Sequence, residues 1–297
     1  SDEAGANASS GALAANYTLT GGTHNFVINR KSVNISGTRE YDGTTNIAAA
    51  DISTITDTVN SEVLAMSGGL GTTSSANVGA YNLTDTSQGT LILANGPSGA
   101  NQGLASNYTL TGGTQDYTIT QRVLSSSGSK AYDANTNALA ADITLSNLVS
   151  GETLNHSGTA SVSSANAASY TITNLAGITL SDNAGLASNY TLTGGTHNFT
   201  VNPKVISLSG SRLYDATTDA VASDLTTISG LVGSETLNLS GTGSVTNANV
   251  ASNKTVTLGT LALADNSGLA ANYTLSGGTH QLTINQRPLA ATVARQY

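Results

Sequence analysis

Apolar and polar residues alternate in short runs along this chain. In Asn189-Tyr190-Thr191-Leu192-Thr193, Tyr190 and Leu192 alternate with Thr; after Gly194-Gly195, Phe199 and Val201 alternate with Asn198, Thr200 and Asn202. Period two with a glycine break predicts two strands with one buried face, joined as a hairpin. The same pattern stands at Tyr17, Leu19, Phe26 and Ile28, at Tyr108, Leu110, Tyr117 and Ile119, and at Tyr273, Leu275, Leu282 and Ile284. Val205-Ile206-Ser207-Leu208-Ser209 predicts another strand, as do Glu235 to Ser240 and Thr255 to Leu261. No long amphipathic helix is visible; Ala138 to Val149 and its equivalents have room for one helical turn.

These patterns recur at a fixed period. The block Leu-Ala-x-Asn-Tyr-Thr-Leu-(Thr/Ser)-Gly-Gly-Thr begins at Leu13, Leu104, Leu186 and Leu269, and Tyr-Asp pairs follow a basic residue at Tyr41, Tyr132 and Tyr214. The unit is roughly 82 residues, longer than the helical or leucine-rich solenoid repeats and suited to a small β domain with its own core. Complete repeats run over 32–122, 123–204 and 205–287. Residues 1–31 read as the C-terminal part of a preceding repeat and 288–297 as the start of a following one, where Arg295 precedes Tyr297 as Arg39 precedes Tyr41. About seven short strands per repeat point to tandem Ig-like β-sandwiches, all-β, and short junctions containing Pro203 and Pro288 point to an extended, semi-rigid rod.

Composition narrows the function. Only 9% of the residues are charged, 38% are hydrophobic, and the net charge is −8 with no basic run, so there is no electrostatic footprint for nucleic acid. No apolar run nears the roughly 18 residues of a membrane span, so membrane insertion by this segment is not expected. Zero cysteines exclude a disulfide framework and thiolate metal sites. With no histidine pair at ligand spacing and no nucleophile elbow, enzyme activity is not expected either.

The recurring residues are the candidates for structural or binding roles: Tyr41, Asp42, Tyr132, Asp133, Tyr214 and Asp215, with Tyr108, Tyr190 and Tyr273 in the closing block. A Tyr-Asp pair can offer a stacking face and an acceptor to a sugar. Once per repeat it reads better as a strand end, with Tyr in the core and Asp capping the Thr-rich turn. Arg39, Lys130, Arg212 and Arg295 lie two places before a Tyr; Asp51, Asp142 and Asp224 or Glu62, Glu152 and Glu235 are their candidate partners. His24, His197 and His280 share a position where the first repeat has Gln115, which argues against a metal or catalytic role. Asp182 and Asp265, in Gly/Asn-rich loops, offer oxygens to Ca²⁺, but the first repeat has Asn95 there and no dense acidic loop exists; no cofactor is expected. Ala134 and Ala216 stand where the first repeat has Gly43, suggesting a position not tied to a glycine-only backbone angle.

The Arg/Lys-x-Tyr-Asp-Gly/Ala-x-Thr opening, the acidic-Thr-Leu strand midway and the closing Asn-Tyr-Thr-Leu resemble the YDG-type repeat of large bacterial exoproteins. The likeness covers all three repeats. It implies a secreted adhesin of the filamentous-haemagglutinin-like, two-partner-secretion, biofilm-matrix type, found outside the cell on the bacterial surface or in the matrix. The expected function is a structural stalk that spaces an adhesive tip or links cells. Its rival is a repeated carbohydrate-binding module, with exopolysaccharide or other copies of the adhesin as partners. The absence of Trp favours the stalk.

Overall fold

The computed structural model describes residues 17–82, 86–172 and 174–291, in a chain that divides into two compact units, Ser1–Thr120 and Gln121–Tyr297. Among the described residues there is no α-helix. The regular structure is short strands and single turns of 3-10 helix, such as Ala140–Asp142.

In unit one, a four-stranded sheet is ordered Ile52–Thr56, Asn34–Glu40, Gln115–Thr120, Gly79–Tyr81. Its two central strands run parallel, Ile35 opposite Gln115 through Glu40 opposite Thr120, and the outer two pair antiparallel. Lys31–Ser32 pairs in parallel with Tyr108–Thr109. Alternation fixes the inner face: Gln115, Tyr117 and Ile119 are buried while Asp116, Thr118 and Thr120 are exposed. Val33, Ile35, Leu64, Tyr108 and Leu110 form a core cluster.

Unit two contains two copies of this plan. Ile143–Ser146, Ser125–Ala131, His197–Asn202 and Ala168–Thr171 form the sheet of repeat 2; Thr227–Ser229, Ser207–Leu213, His280–Asn285 and Ala251–Thr255 form that of repeat 3. The central pair is parallel in both. Phe199, Val201, Ile206, Leu208, Leu282 and Ile284 are buried in one cluster that runs through both repeats. Each such side chain contributes about 1.5–3 kcal/mol by leaving water.

The closing hairpin expected from the sequence does not form. Tyr190–Thr191 pairs in parallel with Arg122–Val123, while His197–Asn202 pairs with Ser125–Ala131, so the two runs flanking Gly194-Gly195 belong to different sheets. Gly195 packs so close to the opening strand that a Cβ there would meet the Leu124 carbonyl oxygen at 1.8 Å. The turn thus transfers the chain between sheets, and alternation, which reports only the buried face, cannot distinguish that from a hairpin. An immunoglobulin-type sheet pairs antiparallel throughout, so the parallel central pair is a departure from that plan.

Tyr17, Leu19, Phe26 and Ile28, expected to repeat the buried pattern, are exposed and in no strand. In each complete repeat the closing strand instead pairs with an opening strand some seventy to eighty residues earlier. Leu13, Arg295 and Tyr297 lie outside the described residues.

Candidate functional site

Two of the residues that recur once per repeat meet at the joint between repeats 2 and 3, inside unit two. Tyr132 ends the strand Ser125–Ala131, its N–H bonded to the Asn202 carbonyl at 2.9 Å, so its ring projects from the end of repeat 2. There it meets Tyr273 of repeat 3 edge to face, with ring centroids 5.4 Å apart at 78°. Both phenols donate to one carboxylate: Tyr132 Oη to Glu235 Oε1 at 2.6 Å and Tyr273 Oη to Glu235 Oε2 at 2.5 Å. Tyr273 Oη also accepts the Val232 N–H at 3.0 Å. Beside them Asn272, 2% exposed, accepts the Ala167 N–H of repeat 2 at 2.8 Å and donates to Asn166 Oδ1 at 3.0 Å.

This arrangement is a polar clasp inside an apolar seam. Charge-assisted hydrogen bonds of this kind contribute about 1.5–3 kcal/mol each. Burial pushes the Tyr132 phenol up to about 12, with the hydrogen bond to Glu235 and the carboxylate charge acting in the same direction. Burial and then Glu235 raise Tyr273 as well. The half of the clasp internal to a repeat is present in all three: Tyr108 donates to Glu62 and Tyr190 to Glu152, each at 2.5 Å, and each accepts a backbone N–H, from Val59 and Val149. Gly185 and Gly268 make room for the acid, since a Cβ there would meet Glu152 Oε2 at 2.5 Å or Glu235 Oε2 at 2.7 Å.

The Asp of each Tyr-Asp pair does separate work. Asp42 accepts the Thr44 N–H at 2.9 Å, Asp133 the Asn135 N–H at 3.1 Å and Asp215 the Thr217 N–H at 3.0 Å. Arg39, Lys130 and Arg212 pair with these same carboxylates, three residues on, and Arg212 also lies 3.7 Å from Asp224. The glutamates proposed as partners for these basic residues serve the tyrosines instead. Burial works to raise Asp42 and Asp133, but it is outweighed: hydrogen bonds from Thr44 with the Arg39 charge, and from Lys130 and Asn135, hold the two carboxyls below the ordinary range. Between Tyr-Asp and the Thr/Asn turn, Gly43, Ala134 and Ala216 all have positive φ, at 80°, 62° and 65°. The position is left-handed in every repeat, contrary to the expectation drawn from alanine, and the two alanines carry the strain.

The remaining candidates are accounted for locally. His197 and His280 each place Nε2 at 2.8 Å from the carbonyl of Leu192 or Leu275, pinning the Gly-Gly turn; Nδ1 faces Ser126 Oγ at 2.9 Å in one repeat and the Leu208 N–H at 3.2 Å in the other. Gln115 reaches the carbonyls of Leu110 and Gly113 from the same place. Asn95, Asp182 and Asp265 accept the N–H of Ala105, Ala187 and Ala270, each opening a 3-10 turn.

Among the sequence-predicted residues, Tyr132 and Tyr273 come together, Tyr41 is buried, and Tyr214 is exposed. Sequence reasoning missed Glu235, Asn272 and Asn166 as joint residues. For Glu235 and Asn272 a signal was available, a Glu two places before Leu64, Leu154 and Leu237 and an Asn before every closing Tyr, but without knowledge of which repeat each would face. The family model described as the YDG domain matches residues 114–198 and 196–281, more than half of the 297 residues. No curated protein and no solved structure matches the chain.

Proposed function

We propose that this chain, which belongs to the YDG domain family, is a structural spacer: part of the stalk of a secreted bacterial adhesin, with successive repeats set as small β-sandwiches in an extended row. The observation that carries the reading is where the Tyr132 ring is spent. A sugar-binding aromatic must present its face to solvent, whereas Tyr132 is 5% exposed and lies between two repeats. A residue that recurs once per repeat and clasps the next repeat serves orientation, which is what a spacer needs from its joints. The low charge suits this role, because a joint made of phenols, one carboxylate and amides depends little on screening by salt.

The test is small-angle scattering of the whole chain, wild type against Tyr132→Ala, with calcium and with chelator. The spacer reading expects an elongated particle, indifferent to chelation, that becomes more flexible in the variant. A compact wild-type particle, or exopolysaccharide capture that disappears in a folded Tyr214→Ala variant, overturns it.

A further inference from the structure

We propose that each repeat is a shear clamp, a fold that carries tension along the chain, with the parallel central pair of its four-stranded sheet as the element that resists. The inference rests on the spacer reading, because a spacer under use is pulled along its length.

The clamp follows from where the chain enters and leaves a repeat. Repeat 2 is entered along Arg122–Val123 and Ser125–Ala131 and left along Tyr190–Thr191 and His197–Asn202. These segments pair directly and in parallel, Arg122 opposite Tyr190 and then Ser126 through Ala131 opposite His197 through Asn202. Two parallel strands pulled from the start of one and the end of the other must slide past each other, so all the hydrogen bonds between them are loaded together. In an antiparallel pair the same two attachment points lie at one end, and the bonds open one after another. The path recurs in the other repeats. Asn34–Glu40 lies parallel to Gln115–Thr120 in repeat 1, and Ser207–Leu213 lies parallel to His280–Asn285 in repeat 3.

The pair is tied at both ends and shielded along its length. The Leu124 N–H donates to the Thr191 carbonyl at 2.8 Å, that of Ser126 to Thr196 at 3.0 Å and that of Tyr132 to Asn202 at 2.9 Å. Val33, Ile35 and Tyr41 make the corresponding bonds to Thr109, Thr114 and Thr120 in repeat 1. Ile143–Ser146 and Ala168–Thr171 flank the pair on either side, so neither of its strands is a sheet edge, and Phe199 and Val201 are buried beneath it. Hydrogen bonds in such surroundings are electrostatically stronger than bonds in water. Parallel pairing is slightly less stable per residue than antiparallel pairing. Stability therefore does not account for its place at the centre of all three sheets, whereas the direction of pull does.

Single-molecule pulling on the full chain, in two directions across repeat 2, tests this. The sequence has no cysteine, so introduced thiols are the sole points of attachment. Gln121→Cys with Asn202→Cys places handles at the entry and the exit and shears the pair. Ala131→Cys with Asn202→Cys places them on register partners at the exit end and unzips it. All three residues are exposed, so both variants leave the core untouched. In the shear direction repeat 2 should hold to a force severalfold above that of the unzipping direction, then give way in one step that releases roughly 250 Å of chain. Equal forces in the two directions, or gradual lengthening under shear, would overturn the clamp and leave the spacer reading standing. The spacer reading fails separately, through a compact particle in scattering, and a compact particle whose repeat 2 still resists shear would uphold the clamp.

Discussion

Tyr132 and Tyr214 are the same residue of the same motif at the same strand end, and they differ in what lies over them. Tyr132 has Tyr273 and Glu235 of the following repeat against its ring and hydroxyl and is 5% exposed; Tyr214 is 40% exposed. The turn beneath is unaffected by the difference. Asp215 still accepts the Thr217 N–H and pairs with Arg212, as Asp133 accepts the Asn135 N–H and pairs with Lys130. The Tyr-Asp motif therefore has two separable parts. Asp builds the turn within a repeat, and Tyr builds the joint between repeats. A residue that looks like core from its alternation can be core only because a neighbour covers it.

The largest effect should come from removing the two rings in turn. Tyr132→Ala should cost about 3 kcal/mol of unit-two stability in urea denaturation, within the range for buried aromatics, and Tyr214→Ala less than about 1 kcal/mol. Equal losses would erase the distinction between them. Next is the shared acceptor. Glu235→Gln should cost about 1.5–3 kcal/mol, because two phenols lose a charged partner, and Glu62→Gln, which among the described residues serves Tyr108 alone, should cost less when the two variants are melted side by side.

The alkaline limb sharpens the same contrast. The Tyr132 phenol sits at about 12 in the folded chain against an ordinary 10.0, so the folded state holds the proton more tightly. The stability this contributes is fully present below pH 10 and is lost as pH rises through about 12. Denaturation at stepped alkaline pH should show the loss in wild type and a smaller one in Tyr132→Phe. The smallest effect concerns the turn rather than the joint. Ala134→Gly and Ala216→Gly should each stabilise by about 0.5–1 kcal/mol in thermal melts by relieving a left-handed alanine, while Gly43→Ala should cost a similar amount.

Much of one repeat was legible from its sequence. The alternation of Phe199 and Val201, or Leu282 and Ile284, marks the inner face correctly, because side chains alternate across a strand whatever the strand pairs with. For that same reason the pairing itself was not legible. The hairpin suggested by Gly194-Gly195 is a crossing between sheets, and the parallel partner of His197–Asn202 lies some seventy residues earlier. The turn at Ala134 and Ala216 misled because alanine can be forced into the left-handed region when the surrounding hydrogen bonds of Asp133 and Asp215 demand it.

The sequence by itself determined the period, the all-β character, the buried face of each strand and the set of residues that recur. Those properties are local or follow from repetition, and they need no knowledge of what lies across a gap. Only the tertiary structure decided that Glu62, Glu152 and Glu235 hold the closing tyrosines, and that the opening tyrosine of repeat 2 reaches across to that acid in repeat 3. Glu235 is 103 residues from Tyr132, and proximity at that separation is set by how whole repeats pack.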